Sequence, residues 1–121
     1  MARLTRFTLT LLVALAPVTA AADTLAAKDA AAHVGETATV CGKVVSADYA
    51  SRVKGQPTFM NLDAAYPHQV FTIVIWGDDR QKFGTPDTTL MGKQICATGT
   101  IRLFHNVPEM VVGDPAKLTQ Q

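Results

Sequence analysis

The chain reads as a mostly β protein. Five strands close into a small barrel, a short helix lies between the third and fourth strands, and another helix stands in front. Three observations lead there. After Gly35 the apolar residues follow a period of two, the run Val70–Trp76 is β-branched and aromatic throughout, and Gly or Pro breakers separate such runs. The 121 residues, 48% hydrophobic and 17% charged, suit one domain and exclude collagen-like, low-complexity and strongly charged disordered chains.

The elements follow in chain order. Residues 1–22 are expected to be a signal peptide, and residues 23–121 a single domain. Arg3 and Arg6 supply the basic start, Phe7–Ala16 is uncharged, and the small residues Val18–Ala22 offer cuts after Ala20 or Ala22. The apolar run falls short of the roughly 20 residues a bilayer-spanning helix needs. A periplasmic or secreted protein is therefore expected, with no stable membrane insertion after cleavage. Loss of Arg3 and Arg6 turns the net charge of +1 into about −1.

Thr24–His33 is alanine-rich without Pro or Gly and predicts a short helix that Gly35 ends. In the first strand Ala38, Val40, Gly42 and Val44 share one face, and Thr37, Thr39, Cys41 and Lys43 the other. Ser46–Pro57 reads as a polar loop and Thr58–Leu62 as the second strand. Asp63–Gln69 is a turn, and Val70–Trp76 the third strand. A short helix from Gly77 to Phe83 follows, with Asp78 and Asp79 expected to cap it. The loop Thr85–Lys93 leads to a fourth strand, Gln94–Leu103. The turn Phe104–Pro108 leads to a fifth, Glu109–Val112, ended by Gly113–Pro115. Closure is expected because an open five-stranded sheet leaves two edges exposed, and Gly42 and Gly99 suit tight bends. The OB-fold is the five-stranded barrel with this layout.

The stretch His33–Leu118 resembles a family of secreted bacterial OB-fold modules, of the kind also found attached to extracellular nucleases. The resemblance is carried by His33–Glu36 leading into Val40–Val44, by Pro57–Leu62, by Val70–Trp76, by Cys96–Ile101 and by Pro108–Val112. Family members tend to have glycine in the turn before Pro-Glu. Here Asn106 stands nearby, a residue that can also take positive φ. The chain has no nuclease domain, so the resemblance implies a fold and a binding role, not hydrolysis.

Cys41 and Cys96 have the parity opposite to the apolar set and lie on strands that are neighbours in such a barrel. In an oxidising compartment a disulfide is expected. Two half-buried thiols are the alternative, since spacing alone does not fix register. His33, His68 and His105 show no metal-ligand spacing, and Met60, Met91 and Met110 read as core fillers. Neither a metal nor a cofactor is expected. Nucleophile-elbow, dinucleotide and phosphate-loop motifs are absent from the sequence, so no enzyme is expected.

Surfaces remain. In OB-folds the second and third strands and the loops 1–2 and 4–5 form the binding face. The first of those loops carries Tyr49, Arg52 and Lys54, and the second carries Arg102, Phe104, His105 and Asn106. Cations that neutralise backbone and rings that stack on bases suit single-stranded nucleic acid. Weak binding of single-stranded DNA is the leading expectation, with Tyr49, Arg52, Lys54, Arg102, Phe104 and His105 in one groove. The alternative is an exported module for an envelope protein, a glycan or a small ligand.

Overall fold

The computed structural model describes residues 2–15 and 23–121. Residues 2–15 form no helix or strand and are exposed. The expected cuts after Ala20 and Ala22 lie outside the described residues. No helix among those residues is long and apolar enough to cross a membrane.

The protein is mostly β with minor helix. Among the described residues there are eight strands: β1 (Asp23–Ala26), β2 (Thr37–Tyr49), β3 (Thr58–Leu62), β4 (Phe71–Ile75), β5 (Gln94–Thr100), β6 (Arg102–Phe104), β7 (Val107–Val111) and β8 (Leu118–Gln120). Their order in the sheet is β6-β7-β4-β3-β2-β5-β8, with β1 added in parallel to β2. Helices α1 (Gly77–Phe83) and α2 (Pro86–Thr89) fall between β4 and β5. All neighbours on the main path are antiparallel except β4 and β7, which are parallel.

The long strand β2 is the spine. Its first half pairs with β5, from Thr37–Thr100 to Lys43–Gln94, and its second half pairs with β3 after an irregularity between Val44 and Ser46. One extra residue in a strand bends it and increases its twist, which lets β2 serve both halves of the curved sheet. Inward residues alternate along each strand and meet in one core. That core includes Val40, Val44, Met60, Leu62, Phe71, Ile73, Ile75, Ile95, Ile101 and Met110. At Gly99 an added Cβ would sit 3.1 Å from the Met110 side chain. Glycine there allows β5 to lie close against β7.

Five expectations change. The front segment is not one helix: Asp23–Ala26 pairs with Ala38–Cys41, and only Ala27–His33 is helical, as a 3-10 helix. Alanine's helix propensity is a weak prior that tertiary pairing overrides. In a 3-10 helix residues three apart share a face, and Ala27 and Ala30 are both fully buried. The helix thus caps the core with methyl groups. Strand number also differs from five, because β1 and β8 add edges and Ile101 divides the long fourth strand into β5 and β6. Hydrogen bonding leaves β6 and β8 as ends of the path rather than a closed ladder. Asp78 and Asp79 make no side-chain cap on α1, and Asp79 pairs with Lys82 instead. Met60 and Met110 are in the core, whereas Met91 is exposed.

Cys41 and Cys96 are register partners on β2 and β5 and form a disulfide, with their Cα atoms 4.1 Å apart. It is one rung among cross-strand pairs on the same face, Thr39–Thr98 at 2.7 Å and Thr37–Thr100 at 3.4 Å. Closing the 55-residue separation contributes about 4 kcal/mol in the chain-entropy account. The bond is consistent with a non-cytoplasmic location.

Candidate functional site

On the face of the sheet turned away from the core, pairing aligns one residue from each of five strands. Ser46 faces Asn61, Asn61 faces Thr72, Thr72 faces Glu109, and Glu109 faces Arg102. The first four residues of this row, Ser46, Asn61, Thr72 and Glu109, are the floor of a groove of about 720 Å³, a size typical of small-ligand sites. Phe59, Tyr66, Phe104 and His105 line its walls, together with Asp48, Val53, Pro67 and Gln69.

Much of the floor is internally satisfied. The Asn61 amide donates to Ser46 Oγ at 2.9 Å, and its carbonyl accepts from Thr72 Oγ1 at 3.0 Å. The Tyr66 backbone N–H donates to the same Ser46 Oγ at 3.1 Å, which anchors the loop that carries the Tyr66 ring. That ring is 73% exposed. At the other end Glu109, only 4% exposed, takes Arg102 Nε and Nη2 on Oε1, each at 2.7 Å. Burial of this carboxylate is tolerable because a charge-assisted pair accompanies it.

The wall beside Glu109 is the hairpin of β6 and β7. His105 and Asn106 form its tip with φ of 47° and 63°, the left-handed pair that a tight two-residue hairpin turn needs. The turn presents the Phe104 and His105 rings in a parallel stack, 4.1 Å between centroids and 11° between planes. Phe104 remains 55% exposed, so the stack offers an apolar face to the groove.

The structure divides the expected site residues. Phe104 and His105 line the groove, and Arg102 reaches its floor through Glu109. Tyr49 does not line it. Strand β2 extends to Tyr49, and its ring carries the Arg80 guanidinium 3.7 Å above the centroid. Arg80 also donates to Thr58 Oγ1 at 2.6 Å and pairs with Asp87 at 2.8 Å. Tyr49 is thereby part of the seat of α1. The loop after Tyr49 contributes Ala50 and Val53 to the lining, with Arg52 and Lys54 exposed on the same loop and outside the lining.

Phe59, Asn61, Tyr66, Gln69, Thr72 and Glu109 were not singled out from the sequence. Period two along Thr58–Leu62 was enough to set Phe59 and Asn61 on the face opposite Met60 and Leu62. The place of Tyr66 and Gln69 depends on the course of the Asp63–Val70 connection, which no periodicity encodes. Among the described residues no cluster of three or more metal-ligating side chains occurs.

No protein-family model matches the chain, and no curated protein is significantly similar to it. Among solved structures it is similar to a chain assigned as an aspartyl-tRNA synthetase from Leishmania major Friedlin. The identity is 14% and the TM-score 0.57, and the match covers 89% of this chain and 23% of that one. At such identity the likeness concerns the fold, and this chain spans about a quarter of that protein's length.

Proposed function

We propose that the chain is an exported OB-fold module, without enzymatic activity, that binds single-stranded nucleic acid weakly through the groove over β3, β4 and β7. Support for the OB reading comes from β2, β3, β4, β5 and β7. They stand in the order β7-β4-β3-β2-β5, with a parallel β4–β7 pair and helices between β4 and β5. The remaining strands are additions at its margins. The resemblance to secreted bacterial OB-fold modules points the same way. Export is supported by the disulfide and by the leader-like start. A cut after Ala20 or Ala22 would leave β1, which begins at Asp23, intact. The mass of the mature protein tests this; retention of Met1–Ala16 would overturn it.

The observation that carries the binding reading is the exposed Phe104–His105 stack at the rim of a groove that Phe59 and Tyr66 also line. Successive bases stack on such rings irrespective of sequence, at about 1–3 kcal/mol per base. Arg52 and Lys54, exposed on the loop beside the groove, are the cations available to phosphates outside it. With so few cations, and Asp48 and Glu109 in the lining, affinity is modest and depends weakly on salt. Those carboxylates favour a second reading, a cationic small ligand held in an aromatic cage.

Titration of a fluorescent oligothymidylate at several salt concentrations tests the first reading. Phe104→Ala is expected to weaken binding by about 1–3 kcal/mol, and Tyr49→Ala to leave it unchanged. Absence of binding at low salt excludes nucleic acid, and saturable binding of a quaternary ammonium ion would then support the second reading.

A further inference from the structure

We propose that the groove floor discriminates among bases and favours one with adjacent N–H donors on its edge, guanine foremost. This rests on the nucleic-acid reading above and adds selectivity to it.

The argument starts from unused hydrogen-bonding capacity. Ser46, Asn61 and Thr72 bond to one another, and Ser46 Oγ accepts both from the Asn61 amide and from the Tyr66 backbone N–H. Arg102 occupies Oε1 of Glu109 with both of its contacts. No described group donates to Glu109 Oε2. Among the described residues the side-chain polar atom that is both sealed and unpartnered is Gln69 Oε1. Glu109 Oε2 is therefore open to the groove that its residue lines. The uncommitted acceptors open to the groove are Glu109 Oε2 and the Asp48 carboxylate on its wall; Gln69 Oε1 also lacks a partner but is sealed from the groove.

A phosphate would meet acceptors there without a free cation, so the base edge must enter and the backbone must stay outside. A base between the aromatic walls then presents its edge to Glu109. Guanine offers N1–H and the N2 amino group side by side, both donors. Thymine offers one N–H between two carbonyl oxygens, which would face the acceptors unfavourably. Carboxylates accept from base amino groups in nucleic-acid recognition, and a well-made contact of this kind separates bases by roughly tenfold or more. Stacking supplies affinity for any base, and Glu109 supplies the preference.

The test uses oligothymidylates of about ten nucleotides, the span of an OB site, with one central guanine, hypoxanthine or thymine. Anisotropy titration at fixed salt is expected to show the guanine oligomer bound roughly tenfold tighter than the thymine one, with hypoxanthine, which lacks the N2 amino group, between them. Glu109→Gln is expected to bring guanine down to the thymine level. Should that variant fail to fold, the hypoxanthine comparison on the unaltered protein still decides. Equal affinity for guanine and thymine overturns the inference and leaves nucleic-acid binding standing. No binding of any oligomer removes the reading on which it rests.

Discussion

The half of the sheet built on β1, β2 and β5 and the half built on β3, β4, β6 and β7 share one core but use their outer faces differently. On the first, the outward positions of β2 and β5 pair across the strands as Thr37–Thr100, Thr39–Thr98 and the Cys41–Cys96 bond. The adjacent end of the core is stopped by Ala27 and Ala30. On the second, the outward row includes a buried carboxylate with an open oxygen, between rings that remain exposed. One half spends its outward residues on each other; the other keeps aromatic surface and hydrogen-bonding capacity for something else. Exposed rings beside a concave, partly unsatisfied floor make one half the candidate for binding, and a covalent rung marks the half that holds.

The largest expected effect breaks the holding half. Reduction of Cys41–Cys96, or replacement of both by serine, is expected to lower unfolding free energy by up to about 4 kcal/mol. A domain of this size has little stability in reserve. Urea denaturation of oxidised and reduced protein measures it, and coincident midpoints would refute the role given to the bond. Next comes the stopper. Ala30→Leu forces extra methylenes against a full core and is expected to cost about 1–3 kcal/mol. Ala31→Leu, at an exposed neighbour, is expected to stay within about 0.5 kcal/mol. Similar losses at both positions would show that the 3-10 helix does not close the core.

The smallest effect concerns the rim of neither half. The hydrogen bond to Asp79, and then the charge of that carboxylate, hold Lys82 above its ordinary value of 10.5. A raised value means that the stabilising contribution is fully present below pH 10.5 and is lost as pH rises through the higher folded value. Both groups are solvent-accessible, so the loss is slight. Denaturation of wild type and Lys82→Met from neutral to strongly alkaline pH is expected to show a small gap that closes only at the alkaline end.

Much of this was legible in the sequence. Period two in Thr37–Val44, the β-branched run before Trp76 and the acids opening the segment after it identified the spine, the central strand and α1. Opposite parity to the apolar set placed Cys41 and Cys96 on one face, and pairing then made them partners. Local pattern suffices for such features, because a strand's two faces are fixed by alternation alone. It does not suffice where one segment's state depends on a distant partner. The start of the front segment, Asp23–Ala26, became a strand because β2 had a free side to pair with, and the residues after Val44 stayed extended because β3 met them past the bulge. Tyr49 left the expected site for the same reason: strand extension turned it toward Arg80, a contact between residues 31 positions apart in sequence. The site follows this division. A hairpin turn with Asn106 at its tip was readable, as was an aromatic residue beside it. The row Ser46–Asn61–Thr72–Glu109–Arg102 was not, because it draws one residue from each of five strands and exists only once their registers are set. Composition and alternation decided which face of each strand is polar; only tertiary pairing decided which polar residues meet, and so where an unpaired carboxylate oxygen was left open.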